Sequence, residues 1–110
     1  MEVVKTARLL TATIANGAAV SDTLQLDKYQ AFTFIMPAAL TSIAMRFDVT
    51  HDGGATWTPL YDATNTLVSV VVAASRAYHL PTQLLGVARC RLNMGSNEGA
   101  QRLIQVIAKS

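Results

Sequence analysis

The chain has 110 residues, enough for one domain that buries roughly 65% of its unfolded surface without disulfide or metal staples. Hydrophobic residues make up 51% and charged ones 15%, which excludes an intrinsically disordered chain and falls below the roughly 25% charge of ordinary soluble domains. Nine Lys and Arg against seven Asp and Glu leave a net charge of +2 with no basic run, so nothing here tracks a phosphate backbone and a nucleic-acid partner is not expected.

Residues 1–8, MEVVKTAR, have no period and read as an extended N-terminal arm, with one domain over 9–110. Glu2, Lys5 and Arg8 take the place of the apolar core of a signal peptide, and no apolar run approaches a membrane span. Leu10, Ala12 and Ile14 alternate with Thr11 and Thr13, a first strand that Asn16-Gly17 turns. Beyond the turn Val20, Leu24 and Leu26 share a parity that Asp22 interrupts, which predicts a bulge or bend. Asp27, Lys28 and Tyr29 form a polar connection. QAFTFIM then puts Phe32, Phe34 and Met36 on one face, as a central core strand would.

The stretch from Ile43 to Tyr61 organises the rest. Ile43, Met45, Phe47 and Val49 alternate with Ala44, Arg46, Asp48 and Thr50, the period of a half-buried antiparallel strand. His51, Asp52, Gly53 and Gly54 break it with the positive φ angles a hairpin uses. A return strand is expected from Thr56, and Pro59, lacking a ladder N–H, places it at a sheet edge or a bulge. After the polar turn DATN, TLVSVVV is apolar on both faces and reads as covered on both sides. RAYHL is a short strand that Pro81 stops, and PTQLLG reads as a loop with room for one helical turn. In GVARCRLNM, Ala88, Cys90, Leu92 and Met94 face the core while Val87, Arg89, Arg91 and Asn93 face outward. GSNEGA is a connecting loop. The last strand, QRLIQVIA, sets Ile104, Val106 and Ala108 against Leu103, Gln105 and Ile107. About eight or nine short strands at this spacing make an all-β antiparallel sandwich.

Few residues offer chemistry. His51 beside Asp52 has the makings of half a catalytic pair, but both sit in a turn where Asp bonds backbone amides, and His79 ends a strand. Asp48, Asp52 and Asp62 lack calcium-loop spacing, and no zinc or other metal motif occurs. Cys90 cannot form an intrachain disulfide, which suits a reducing cytosol, and its parity makes it a core residue. The chain therefore reads as a non-enzyme without cofactor or metal. Two features remain for protein contact. Trp57 and Tyr61 share parity on the edge strand and would form an aromatic platform, unless Trp57, the single tryptophan, is the core tryptophan, which is the favoured reading. Arg89, Arg91 and Asn93 form a polar row, either solvated or paired with a neighbouring subunit.

Five pieces in this order, TIANGAAVSDTLQL, FTFIMPAALTSIAMRFDVTHDGGATWTPLYD, VVVAASRAYHL, LLGVARCRLNMGS and QRLIQVIAK, cover about residues 10–109. Together they resemble small tailed-phage virion proteins, the capsid cement (head decoration) proteins of podophages of the Bordetella-phage type. The resemblance implies a jelly-roll-like sandwich, made in the host bacterial cytoplasm, that binds the outer capsid surface and bridges neighbouring major-capsid subunits. It implies no particular contact residues. Other phage sandwiches share the Asp-Gly-Gly…Trp hairpin, so the alternative is a receptor- or carbohydrate-binding module of a tail or head fibre. The low charge and the strands apolar on both faces predict a homo-oligomer, most simply a dimer.

Overall fold

Period-two alternation determines where this chain can bury itself, and it recurs in strand after strand. A computed structural model of the chain describes residues 7–26, 29, 31–79 and 87–109. The strands are β1 (Ala7–Ile14), β2 (Leu24–Gln25), β3 (Ala31–Ile35), β4 (Ala44–Val49), β5 (Thr58–Pro59), β6 (Ser69–Val71), β7 (Ala77–His79), β8 (Arg89–Asn93) and β9 (Arg102–Lys109). They form two antiparallel sheets, β1-β9-β3-β7 and β2-β8-β4-β5, with β6 pairing β4 beside β5. β5 lies against Asp48–Val49 and β6 against Ala44–Arg46, so the two act as one interrupted edge strand. Counted so, the strands run first-eighth-third-sixth in one sheet and second-seventh-fourth-fifth in the other. That is the order of a jelly roll.

The two inner faces meet in one core. Phe34 on β3 and Phe47 on β4 are fully buried, and their rings approach to 5.9 Å between centroids, joining the sheets at their centres. Ala12, Ile14, Phe32, Ile104, Val106 and Ala108 line the first sheet's side, and Leu24, Met45, Cys90, Leu92 and Met94 the second's. These are the faces that alternation assigned. Ser21 and Leu24 both point inward although two residues, Asp22 and Thr23, lie between them, a spacing that an unbroken strand would turn to opposite faces, so the expected bend at Asp22 is present. There Asp22 Oδ1 accepts from the Thr13 amide at 3.0 Å and blocks part of the free edge of β1.

Several expectations need correction. TLVSVVV is covered on one side only: Val68 and Val72 are buried, but Val71 is 78% exposed, because β6 is an edge strand whose sheet has one covered face. Ile43 is 77% exposed, since β4 begins at Ala44 and Ile43 lies before the sheet. The return strand begins at Thr58, so Trp57 belongs to the long loop between β4 and β5. That loop is held by Asp52 Oδ1, which accepts from Thr50 Oγ1 and the Thr56 amide, and by the positive φ of Gly53 and Gly54. Pro59 does lie at the edge. Ala88 is exposed, and β1 begins at Ala7, inside the segment read as an arm. The PTQLLG turn, the Asp27-Lys28 connection and residues 1–6 lie outside the described residues.

One buried acid closes an end of the sandwich. Glu98, in the loop before β9, is 1% exposed. Its Oε1 accepts from the Thr41 amide at 2.8 Å and Arg102 Nε at 3.0 Å, and its Oε2 from the Ser42 amide at 2.9 Å and from Ser42 Oγ. Its own backbone joins the turn after β1, donating to Ala18 O and accepting from the Gly17 amide. Three loops thereby meet at Glu98, the one before β4 through its carboxylate and the turn after β1 through its backbone. Burial alone would push this carboxyl up, but the hydrogen bonds from Ser42, Thr41 and Arg102 outweigh it and hold it below the usual range.

Candidate contact face on the second sheet

The outward positions of the second sheet bring Arg89, Arg91 and Asn93 of β8 beside Arg46 and Asp48 of β4. The register places Arg91 opposite Asp48 and Asn93 opposite Arg46. Asp48 is 5% exposed although it faces away from the core, because its neighbours cover it. Arg91 Nε and Asn93 Nδ2 each donate to Asp48 Oδ2 at 3.1 Å. The Arg91 guanidinium also lies 4.5 Å from the centre of the Trp57 ring. Ion pair and cation–π contact together fix the side chain in one place.

Trp57 is therefore not the core tryptophan. It is half-buried outside the sandwich, with Gly54 packed beside its ring and Arg91 over one face. Its position follows from the loop, which ends on the outer side of β5. Tyr61 shares the outward parity but bridges to Leu67 farther along the edge, 51% exposed. The structure thus brings Arg89, Arg91, Asn93 and Trp57 together on one face and leaves Tyr61 at its margin.

Two further arginines complete the face. Arg89 is exposed, and among the described residues neither it nor Arg46 forms an ion pair. Arg46 lies over Gly95, where an added Cβ would stand 3.1 Å from a guanidinium nitrogen and where φ is 76°. Glycine there gives Arg46 its bed. Beside it opens a groove of about 390 Å³ between Ile43, Ala44, Leu67, Ser69 and Gly95. The face as a whole carries three arginines against the single, already neutralised Asp48. It suits a partner surface that is acidic and has an apolar side chain to insert.

The other candidates fall to structural roles. Asp52 is fully exposed, and hydrogen bonds from Thr56 and Thr50 lower its carboxyl to about 2, as a turn acid requires. Asp62 accepts from Thr64 and Thr66 in the turn between β5 and β6, which holds it below its ordinary value. Cys90 is buried in the core, and burial, with Asp48 nearby, pushes its thiol up to about 12. Among the described residues no three His, Cys, Asp or Glu side chains gather as metal ligands would. Sequence reasoning missed Arg46 and Glu98 as participants and gave Asp48 no role beyond lacking a calcium-loop spacing. Its place on a polar face was visible, but its partner across the ladder was not.

The fold is similar to the crystal structure of the SPBc2 prophage-derived protein YomS, with a TM-score of 0.60 over the whole of both chains and 14% sequence identity. Identity that low carries the architecture and nothing finer. No family model matches the chain, and no curated protein matches its sequence.

Proposed function

We propose that this chain is a structural phage protein that binds the outer surface of a capsid and cements neighbouring major-capsid subunits, without catalysis, cofactor or metal. The observation that carries this reading is the second sheet's outer face. A guanidinium fixed between Asp48 and Trp57, flanked by Arg46 and Arg89 without ion-pair partners among the described residues, is a pre-ordered contact surface. The fold shared with a prophage-derived protein agrees with a phage origin. Adhesion needs no more than this: each copy covers part of its face against capsid subunits, and many such sites add by multivalency.

The alternative, a carbohydrate- or receptor-binding module, keeps the exposed Tyr61 but finds one face of Trp57 already covered by Arg91. Adding purified protein to undecorated capsids of its own phage, then measuring thermal or osmotic rupture, separates the two. Cement raises the rupture threshold, and Arg91→Ala or Trp57→Ala reduces the gain. A receptor module leaves the threshold unchanged.

A further inference from the structure

We propose that the outer face of the first sheet, opposite the arginine face, is the surface through which two copies of this chain associate. The ladder aligns its outward side chains in rows across β1, β9, β3 and β7. One row is Leu9, Ile107, Thr33 and His79; the next is Thr11, Gln105, Ile35 and Ala77; Thr13 and Leu103 lie beyond. Four large aliphatic side chains stand out of this face, Leu9 at 63%, Leu103 at 47%, and Ile35 and Ile107 at 37% exposure. Among its described residues the only formal charge is Lys109, at the end of β9. Two of the polar groups at its centre pair with each other, since Thr11 Oγ1 donates to Gln105 Oε1 at 3.1 Å. Such a face loses little when water leaves it.

The absence of charge selects the occupant. A different protein is usually recognised by complementary charge, which the second sheet offers and this one lacks. A second copy presents the same neutral surface across a two-fold axis, with no like-charge cost and with closure after two subunits. The area is consistent. The four strands contribute eight, eight, five and three residues. At about 3.4 Å along the strand and 4.8 Å across it for each residue, the sheet spans roughly 400 Å² in projection. Two such faces cover roughly 800 Å² before side-chain relief is added, near the roughly 1,000 Å² at which specific interfaces begin. The dimer is therefore weak, sheet stacked on sheet, and its population depends on concentration. The arginine faces are left outward on both sides.

Sedimentation velocity on the free protein, from micromolar to millimolar concentration, tests this without any capsid, so its outcome is separate from the cement reading. The wild-type chain should pass from monomer to dimer. Leu103→Lys and Ile107→Lys should each weaken association by at least ~100-fold, because lysines would be desolvated against each other across the two-fold axis. Val71→Lys, at a still more exposed aliphatic position but on the second sheet, should leave it unchanged. Circular dichroism checks that each variant is folded; should either fold poorly, Thr33→Lys carries the same charge into the face while keeping all four aliphatic residues. A monomer at every concentration overturns the proposal. So does a dimer that survives a folded Leu103→Lys, Ile107→Lys or Thr33→Lys variant, or one that Val71→Lys abolishes.

Discussion

Glu98→Ala is the substitution expected to damage this protein most for the least change in apolar packing. It removes the acceptor for the Thr41 and Ser42 amides and leaves Arg102 without its carboxylate. Breaking a buried, hydrogen-bonded pair from one side costs roughly 3–5 kcal/mol. The two orphaned amides account for much of this, at about 1–3 kcal/mol for each that water does not reach. Thr41 is exposed, so water can replace its partner, whereas Ser42 is buried and has no such recourse. The loss should therefore lie near the lower end, about 3 kcal/mol. Glu98→Gln keeps the shape but aims an amide N–H₂ at groups that are themselves donors, and should cost nearly as much. Arg102→Ala should cost less, because three donors still hold the carboxylate.

Acid sensitivity supplies the independent arm. The Glu98 carboxyl lies below its ordinary 4.5 in the folded chain, so the unfolded chain binds more protons. Its stabilisation is complete above pH 4.5 and fades as the pH falls from there through the lower, folded value. Urea unfolding followed by circular dichroism at neutral pH and at a series of acid pH values measures both effects. The wild type should lose stability on acidification, and Glu98→Ala should lose less, having no carboxylate to protonate. A cost under about 1 kcal/mol for Glu98→Ala, the size of an ordinary surface change, would refute the view that this acid locks the loops. An acid dependence identical to the wild type's would refute the assigned protonation.

Phe34→Ala and Phe47→Ala should each destabilise by about 3–5 kcal/mol in the same unfolding assay, since both rings are fully buried where the sheets meet. Arg46→Ala, on the outward parity without an ion pair among the described residues, should change stability by less than about 0.5 kcal/mol. Arg91→Ala should cost roughly 2–3 kcal/mol, because the buried Asp48 keeps only Asn93, and should shift the emission of Trp57 as the cation leaves its ring. Cys90, buried and with its thiol raised to about 12, should react with a disulfide reagent at neutral pH only after denaturant is added.

The inner faces were legible because alternation is a statement about one strand at a time. Phe32 with Phe34, Cys90 with Leu92, and Ile104 with Val106 each declared their side without knowledge of any neighbour. Pro59 likewise declared an edge through its own missing N–H. What could not be read were relations between strands. TLVSVVV has two apolar faces, but whether the second is covered depends on whether another layer packs over it, and among the described residues none does at Val71. Asp48 and Arg91 are far apart in sequence and meet only through the β4–β8 register. Glu98 sits in a loop whose composition announces flexibility, yet its carboxylate is among the most buried polar groups. Apart from Arg102, its donors come from a loop more than fifty residues earlier. The jelly-roll order itself came from the resemblance and not from any period.

The outer faces differ for a reason the core does not impose. β8 and β9 are equally well alternated inward, with Cys90 and Leu92 on one and Ile104 and Val106 on the other. Their outward residues are Arg89, Arg91 and Asn93 on β8, but Leu103, Gln105 and Ile107 on β9. Apart from Arg91, which pairs the buried Asp48, folding alone places little demand on these positions, and exposed aliphatics on a strand bring a risk of aggregation that lysine or glutamate would remove. A sandwich that only had to fold would charge both faces. Leaving one face neutral and fixing an arginine with tryptophan on the other makes the two sides fit for different partners. Under the proposed function, that asymmetry would give an adhesive subunit one side for its own kind and one for the surface it binds.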